Sequence, residues 1–248
     1  MSKVMLVTGA SRGIGAAIAK AAAQAGYRVA VNYLHSSQAA QQVVEAIRQA
    51  GGQAVALQAD VGDPAAVEHL FAQVDEQFGR LDVLINNAGV LANFRVDALD
   101  PAQVQSVFRA NVFSVFHCAG HAVRRMSTAH GGTGGVIVNM SSVASRLGGL
   151  AGGAAYAASK AAIDTFTLAL AKEVGREGIR VAALRPGLIE TEIHNLHGGL
   201  DRMRVLARDV VPMGRSGTAE EVAQAALWLA SPAASYVHGT VLDVAGGR

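Results

Sequence analysis

The chain has little cysteine, proline or charge. Its 248 residues include one cysteine, Cys118, and five prolines, and only 16% of them are charged. A single cysteine excludes an internal disulfide framework and a cysteine-rich metal site, and it is compatible with a reducing cytoplasm. The 21 basic and 19 acidic residues give a net charge of +2 and form no basic run, so nucleic acid is not an expected partner.

Long hydrophobic runs are absent as well. No apolar stretch reaches the roughly 20 residues that a membrane-spanning helix needs, and the opening MSKVMLVTG lacks the pattern of a signal peptide. We therefore expect a cytoplasmic protein with no membrane partner. The 51% of hydrophobic residues indicates a folded chain with a large buried core rather than a disordered one.

Short β-branched runs alternate with longer alanine-rich segments of helical period. This alternation predicts right-handed βαβ crossovers. The fold class is α/β: a single-domain, Rossmann-type, doubly wound parallel sheet of seven strands over residues 1–248, with helices on both faces. The strands should be buried, because they are apolar throughout. The predicted strands are KVMLVT, RVAVNY, QAVALQAD, LDVLINNAG, GVIVNMSS, GIRVAALRPG and TVLDVAGG, and helices are predicted over 16–25, 38–50, 65–78, 102–126 and 156–174.

A glycine-rich loop, TGASRGIG, follows the first predicted strand and opens a helix. Glycine is needed where a chain turns sharply and where its backbone approaches a pyrophosphate, and the helix N-terminus favours the phosphate charge. A tight structural turn is the plainer interpretation, but the βαβ context favours a dinucleotide site. Its candidate residues are Gly9, Ser11, Arg12, Gly13, Ile14 and Gly15.

The end of the second predicted strand bears on the choice between NAD and NADP. NAD sites usually place an acidic side chain there to hold a ribose hydroxyl, but this chain has Asn32, followed by Tyr33. Arg12 offers a guanidinium to a 2′-phosphate, and Ser36 or Ser37 offers a hydroxyl. We therefore favour NADP(H) over NAD(H), although a solvated loop position for Arg12 stays open.

Five motifs in order, TGASRGIG, NNAG, MSS, YAASK and RPGLIET, resemble those of the short-chain dehydrogenase/reductase family in its single-domain branch, along essentially the whole chain. The resemblance implies that Tyr156 is the general acid or base and that Lys160 holds the nicotinamide ribose and lowers the phenol pKa. Ser142 would bind the substrate oxygen, with Ser141 as runner-up. Asn111 would hold a relay water, kink its helix, or do both.

The same resemblance implies further cofactor contacts. Asp60 and Val61 would lie against the adenine, and Asn87, Ala88 and Gly89 would line the adenosine side. Pro186, Gly187 and Ile189 would flank the nicotinamide, and Thr191 would reach a phosphate or the carboxamide. The expected activity is hydride transfer between NADP(H) and a small carbonyl compound or secondary alcohol, as in sugar dehydrogenases or 3-oxoacyl reductases. A non-catalytic NADP-binding sensor or scaffold is the alternative.

Other polar and apolar features complete the expectations. A substrate lid is expected around 192–215, where Arg202, Arg204 and Arg208 should face water rather than an acidic substrate. His194 and His197 have ligand-like spacing but no third ligand, so no metal site is expected. Cys118 and Trp228 should be core residues. Apolar helices over 104–126 and 156–170 should pair with their copies, as the family resemblance implies, in a homotetramer.

Overall fold

A computed structural model describes residues 2–191 and 199–248. Within these ranges seven strands form one all-parallel sheet in the order β3-β2-β1-β4-β5-β6-β7. The doubly wound sheet predicted from the alternation is confirmed. The strands are β1 Val4–Val7, β2 Arg28–Tyr33, β3 Gln53–Gln58, β4 Val83–Asn86, β5 Gly135–Met140, β6 Ile179–Pro186 and β7 Thr240–Val244.

Nine α-helices lie in the described part of the chain. The five predicted helices are present with ends shifted by a few residues. The long helix predicted over 102–126 differs, because a π-helical turn, Arg109–Phe113, divides it in two. The helices are α1 Gly13–Gln24, α2 Ser37–Gln49, α3 Pro64–Phe78, α4 Pro101–Phe108, α5 Ser114–Met126, α6 Ala144–Leu147, α7 Ala154–Val174, α8 Gly199–Val210 and α9 Ala219–Ala230.

Local chemistry explains where the helices start and stop. The Asp63 carboxylate caps α3 by accepting from the amides of Ala65 and Ala66, and Pro64 occupies the first turn, where its missing N–H costs nothing. Gly79 ends the same helix at a φ of 72°, a left-handed conformation that suits glycine. At α9, the Thr218 hydroxyl and the Glu221 carboxylate form a reciprocal capping box.

Two apolar cores lie on opposite faces of the sheet. The face covered by α1, α2 and α9 is called the first face, and Met5 and Val7 of β1 contribute to its core. The second face is covered by α3, α5 and α7, and Val4 and Leu6 contribute to its core. Successive residues of one strand thus serve different cores, because side chains alternate across a strand. This explains why the central strands read as apolar throughout.

Two predictions of burial were wrong. The edge strands β3 and β7 are only partly buried, since each has a neighbouring strand on one side only. Trp228 is 43% exposed, although it was expected in the core. Helix α9 buries its alanine-rich side, including Val222 and Leu229, and Trp228 lies off that side. Cys118 is fully buried in the second core, as expected.

The carboxyl ends of the strands converge on one edge of the sheet. The strand order reverses between β1 and β4, which lie side by side, and ligands of open α/β sheets bind at this kind of switch point. The loops after β1, β4, β5 and β6 therefore meet at one crevice. None of the described helices is both long and apolar enough to cross a membrane.

Candidate active site

The glycine loop after β1 has a backbone that other residues fit poorly. Gly9 and Gly13 have φ angles of 61° and 55°, in the region that disfavours side chains. A Cβ on Gly15 would lie 2.5 Å from Asn87 Nδ2 and 2.6 Å from the Gly9 carbonyl oxygen. The loop thus packs so tightly on the segment after β4 that there is no room for a side chain at Gly15.

Three polar side chains hold this loop in shape. Asn32 Oδ1 accepts from the Gly9 amide at 3.2 Å, and the Asn87 amide group donates to the Gly9 carbonyl at 3.0 Å. The Thr8 hydroxyl accepts from the amides of Asn87 and Ala88. Thr8 was missed by the sequence reasoning, although it directly precedes the first glycine. The loop is therefore preformed by bonds between β1, β2 and β4.

Asn32 differs from its sequence-based role. It is 1% exposed, and its Nδ2 also donates to the carbonyls of Leu57 and Ala59. With both ends of its amide engaged, the side chain shapes the loop and does not face outward toward a ribose. Tyr33 is also buried, and its hydroxyl donates to Ser37 Oγ at 3.3 Å. Ser36 occupies the N-cap position of α2 without a capping side-chain bond.

The N-terminus of α1 fits a dinucleotide phosphate. Arg12 occupies the N-cap position, and its side chain makes no capping bond to the helix amides. Ser11, Arg12 and Gly13 line a cleft of about 350 Å³ that extends toward α2 and α9. Thr191 Cγ2 is 3.4 Å from where a Gly13 Cβ would lie, so Thr191 stands directly over the loop. Ile14 is the second residue of α1. Amides without a side-chain cap, small residues and a nearby hydroxyl suit an anionic phosphate.

The remaining cofactor candidates lie at the same edge. Asp60 pairs with Arg109 at 2.7 Å and accepts from the Gly62 amide, so its carboxylate is already engaged, and Val61 beside it is buried. Gly187 is a close-packed position, since a Cβ there would lie 2.8 Å from Ala245 Cα. The Pro186 carbonyl accepts from the Val143 amide at 3.1 Å, and Ile189 is buried.

The two serines of MSS have different partners. Ser142 is partly exposed, and its side chain interacts with Tyr156 so as to lower the phenol pKa; its Oγ accepts from the Ala144 amide at 3.1 Å. Ser141 is buried, and its hydroxyl donates to the Lys160 carbonyl on α7 at 3.1 Å. The geometry thus brings Ser142, not the runner-up Ser141, to the phenol of Tyr156.

Lys160 lies one helical turn after Tyr156 and is 5% exposed. Its ammonium donates to the Met140 carbonyl at 2.8 Å and lies 5.9 Å from the centre of the Tyr156 ring. Burial lowers the pKa of Lys160 to about 8, while the charge of Asp164 acts in the opposite direction. The side chain is therefore an ammonium near neutrality that changes charge just above it.

The pKa of Tyr156 departs from the sequence-based expectation. The pKa of Tyr156 is raised above the usual value for tyrosine, chiefly by burial, and the interaction with the Ser142 side chain opposes the rise. The expected lowering by Lys160 does not appear in this structure, because desolvation of the phenol is the larger effect. The Lys160 ammonium is instead directed to a main-chain carbonyl of β5.

Asn111 is fully buried in the π-helical turn. Its Oδ1 accepts from the Val90 amide at 2.7 Å, and its Nδ2 donates to the Val90 carbonyl and to Ser159 Oγ, both at 3.0 Å. The Ser159 hydroxyl donates in turn to the Tyr156 carbonyl at 2.7 Å. Asn111 therefore joins the segment after β4 to α7, and the expected helix distortion is present, since π turns interrupt a regular helix and are frequent at functional sites.

A second buried polar chain lies behind the site and was not anticipated. Asn86 Nδ2 donates to Asn139 Oδ1, and Asn139 Nδ2 donates to Thr167 Oγ1, both at 2.9 Å. The Thr167 hydroxyl donates to the Ile163 carbonyl. The chain links β4, β5 and α7, and it fixes the helix that carries Tyr156 against the sheet. Buried amides need such partners, but the sequence does not identify them.

Helix α8 borders the site beyond β6. It packs Met203 and Ala207 on Leu188, and Arg204 forms two hydrogen bonds with Glu190, at 2.9 and 2.7 Å. These bonds lower the pKa of Glu190 to about 2. Arg204 is thus paired with a carboxylate, and like Arg202 and Arg208 it is exposed to water, as expected.

The described residues contain neither a cluster of metal ligands nor a reactive thiol. There, no group of three or more His, Cys, Asp or Glu side chains is arranged to hold a metal ion. His194 and His197 lie outside the described residues, as does the first part of the predicted lid. Burial raises the pKa of the Cys118 thiol to about 12, so that thiol is inert near neutrality.

Comparisons with known proteins identify the family of the chain. A family model described as enoyl-(acyl carrier protein) reductase matches residues 9–248. The uncharacterized oxidoreductase YgfF of Escherichia coli is 49% identical, covering 99% of both chains. Versicolorin reductase stcU of Emericella nidulans is 39% identical, covering 99% of this chain and 95% of the relative.

A solved structure adds evidence for the fold. A short-chain dehydrogenase from Burkholderia cenocepacia, crystallised in complex with NADP, superposes with a TM-score of 0.89 at 36% identity. The alignment covers 99% of this chain and 97% of the other. With the glycine loop, the Tyr156–Lys160 pair and matches over nearly the whole length, the chain belongs to the short-chain dehydrogenase/reductase family of CH–OH and C=O oxidoreductases.

Proposed function

We propose that the protein is an NADP(H)-dependent oxidoreductase that interconverts an uncharged carbonyl compound and its secondary alcohol. The observation that carries this proposal is that the Ser142 side chain interacts with the Tyr156 phenol, one helical turn from the buried ammonium of Lys160. We assign the phenol as the proton donor, the Ser142 hydroxyl as the group that binds the substrate oxygen, and the ammonium as the cation beside them at the carboxyl edge of the sheet. When bound, the nicotinamide supplies or accepts the hydride.

The side chains of this chain divide the remaining work. Tyr156 donates its phenolic proton to the carbonyl oxygen during reduction and takes it back during oxidation. The Ser142 hydroxyl donates a hydrogen bond to the same oxygen as its negative charge develops. Lys160 binds the ribose hydroxyls through its ammonium, and its charge favours the tyrosinate that forms after proton donation. Asn111 holds the segment after β4 in place and orders a water that carries the proton to solvent.

The cofactor preference follows from charge at the adenosine end. Arg12 is exposed beside the first turn of α1. Strand β2 ends in Asn32 and Tyr33, so it presents no acidic side chain there, and Asn32 itself is buried. A carboxylate there would repel a 2′-phosphate, whereas a guanidinium attracts one. The relative crystallised with NADP agrees with this preference.

Apolar residues beside the reacting groups favour a substrate with an apolar body over a sugar. Val90 follows Gly89, and Leu147 and Leu150 lie on the segment between Ser142 and Tyr156; each is more than 40% exposed. The one charged residue of that segment, Arg146, is engaged with Asp243 and the Arg248 carbonyl. Exposed apolar side chains at a crevice stabilise apolar ligands. Among ketones of increasing chain length, we expect kcat/KM to rise, and better turnover of sugars would contradict this choice.

Replacement of Tyr156 by phenylalanine tests the proposed activity. We expect the rate of NADPH oxidation with an accepted ketone to fall about 10²- to 10⁴-fold, while NADPH still binds. Tyr236→Phe is the matched control, because Tyr236 is fully exposed and its loss of a hydroxyl should leave turnover unchanged. Full turnover by Tyr156→Phe would contradict the assignment of the acid.

The sensor or scaffold alternative makes a different prediction for the parent protein. It requires NADPH binding with no turnover across a panel of ketones, acyl thioesters, sugars and secondary alcohols. The intact set of Asn111, Ser142, Tyr156 and Lys160 argues against it, because binding alone does not require a phenol with a hydroxyl partner. A single substrate that oxidises NADPH and fails to do so with Tyr156→Phe would exclude this alternative.

Replacement of Arg12 by alanine tests the cofactor preference. We expect KM for NADPH to rise roughly tenfold, the usual effect of losing one charge-assisted hydrogen bond, while KM for NADH changes little. Arg202→Ala is a suitable control, since Arg202 is an exposed arginine of α8. Equal effects of Arg12→Ala on the two cofactors would contradict the preference for NADP(H).

We also propose a cytoplasmic homotetramer. Phe113, Phe116 and Leu168 are exposed on the turn before α5, on α5 and on α7, and the Phe116 ring contacts Phe166 of α7. Trp228 of α9 is exposed as well. Exposed aromatic residues of this kind are typical of subunit interfaces. Light scattering after size exclusion should give a mass near four chains, and a stable monomer would overturn the proposal. Fractionation of cells tests the location.

A further inference from the structure

Lys160 has a buried carboxylate neighbour on its own helix. Asp164 lies four residues after Lys160 on α7, and both side chains are buried, with 9% and 5% of their surface exposed. Residues four apart lie on the same face of a helix, with Cβ atoms about 5–6 Å apart. A buried lysine and a buried aspartate thus share the side of α7 that faces the sheet.

The two oxygens of Asp164 have different surroundings. Oδ2 accepts from Arg185 Nε at 3.0 Å and from Arg185 Nη2 at 2.9 Å. Oδ1 is buried and has no hydrogen-bond partner among the described residues. Arg185 is in turn bonded to Asp243 of β7. One oxygen therefore fixes the carboxylate to β6, and the other has no hydrogen-bond donor within the described part of the chain.

The surroundings of Lys160 supply few other charges. On its own helix the ionisable neighbours are Tyr156 and Asp164; the β5 side presents the Met140 carbonyl. A Cβ on Gly89 would lie 3.4 Å from Lys160 Nζ and 3.0 Å from Asn111 Oδ1, so the β4 side presents a backbone and a neutral amide. From β6 and β7, Arg185 and Asp243 stand behind Asp164. Asp164 is thus the anion placed to act on this ammonium.

We propose that Asp164, held by Arg185, is a positioning residue that keeps the Lys160 side chain protonated in its buried site. Only the expected effect on activity rests on the proposed function: an uncharged lysine would hold ribose hydroxyls less well and would not support a tyrosinate. Burial disfavours an ammonium, and a fixed anion one turn away offsets that penalty. Asp164 acts through Lys160 and not by touching the substrate.

A purely structural role is the competing explanation, because the Asp164–Arg185 ion pair also joins α7 to β6. The two explanations separate when each partner is removed in turn. Asp164→Asn and Arg185→Met both break the ion pair, so a structural role predicts that they have the same effect. An electrostatic role predicts different effects on the Lys160 titration midpoint: removing the negative charge of Asp164 lowers it, whereas removing the positive charge of Arg185 raises it or leaves it in place.

The direct measurement is a proton titration of Lys160 by NMR on the full chain. The sequence has four lysines, Lys3, Lys20, Lys160 and Lys172, and all but Lys160 are exposed. Labelling lysine at the ε-carbon therefore gives four signals, and the one missing from Lys160→Met is assigned to Lys160. This readout requires neither cofactor nor turnover, so it stays informative if the proposed activity is not found.

We expect Asp164→Asn to move the Lys160 midpoint down by roughly one pH unit or more and Arg185→Met to move it up or leave it in place. Asp243→Asn, which keeps the Asp164–Arg185 pair, should move it little. The alkaline decline of NADPH affinity should shift in parallel with the NMR midpoint. Downward shifts of similar size in both ion-pair variants, or none in Asp164→Asn, would overturn the proposal and leave the oxidoreductase assignment standing.

Discussion

The helices on the two faces of the sheet differ in what they bury. On the first face, the described buried residues of α1, α2 and α9 are all apolar or glycine. On the second face, α7 alone buries Ser159, Lys160, Asp164 and Thr167, and the π turn before α5 buries Asn111. The first face offers main-chain amides that a ligand can approach closely, whereas the second face offers reactive side chains.

This difference follows from what each face does in the proposed reaction. A phosphate is bound well by main-chain amides at a helix N-terminus, and tight packing without side chains brings those amides close. Proton transfer needs side chains with titratable groups, and these must be held by buried partners. Substitutions on the first face should therefore act through volume, and those on the second through charge and hydrogen bonding.

The largest effect is expected for Gly15→Ala on the first face. The added Cβ meets Asn87 Nδ2 and the Gly9 carbonyl at 2.5 and 2.6 Å, so we expect the unfolding free energy to fall by about 1–3 kcal/mol. The Kd for NADPH should rise at least about tenfold. Gly79→Asn is the control: a Cβ there meets nothing within 4 Å, and asparagine tolerates its positive φ. Unchanged NADPH binding by Gly15→Ala, measured by fluorescence titration, would contradict the role of volume on this face.

The next largest effect, a gain in stability, is expected for Lys160→Met on the second face. Burial lowers the pKa of Lys160 to about 8, so the ammonium costs stability at pH 7, on the order of 2–3 kcal/mol. Between about pH 8 and the usual lysine value the unfolded chain binds more protons, and the stability of the parent rises with pH. The gain from Lys160→Met should therefore shrink over that range.

Chemical denaturation at pH 7 and pH 10 measures this gain, and activity should be lost at the same time. Lys172→Met on the same helix is the control; Lys172 is exposed, and its replacement should change stability by less than about 0.5 kcal/mol. A Lys160→Met variant less stable than the parent at pH 7 would show that the bond to the Met140 carbonyl outweighs the burial of the charge.

A loss of stability without a direct effect on NADPH binding is expected for Thr167→Val, which keeps the side-chain shape on the second face. The change leaves the buried Nδ2 of Asn139 without its acceptor, and an unsatisfied buried donor costs about 1–3 kcal/mol. Thr165→Val on the exposed side of α7 should change stability by less than about 0.5 kcal/mol. Equal denaturation midpoints for Thr167→Val and the parent would mean that the polar chain contributes no stability.

The smallest effects, which should not distinguish the faces, are expected at the helix caps. Thr218→Ala removes the cap of α9 on the first face, and Asp63→Ala removes that of α3 on the second. Each should lower the unfolding free energy by about 1 kcal/mol, because capping is a local interaction. A large difference between the two, seen by thermal denaturation, would indicate that one residue has a further role.

Much of the fold was predictable because its signals are local. The alternation of strands and helices, the glycine loop and the Tyr156–Lys160 spacing depend on residues close together in sequence. A helix kink at the polar Asn111 was expected, but its form as a π turn was not, since FRANVF does not reveal which backbone hydrogen bonds are displaced. The exposure of Trp228 was missed for a similar reason: apolar neighbours do not reveal on which side of α9 a residue lies.

The sequence by itself determined the class of fold, the position of the glycine loop and the pairing of Tyr156 with Lys160, because each depends on short-range spacing. Only the tertiary structure decided that Ser142 and not Ser141 contacts the phenol, that Asn32 is buried in the loop, and that Asp164 is joined to Arg185. These contacts connect residues 14 to 27 positions apart, and their partners are set by how α7, β2 and β6 pack against the sheet.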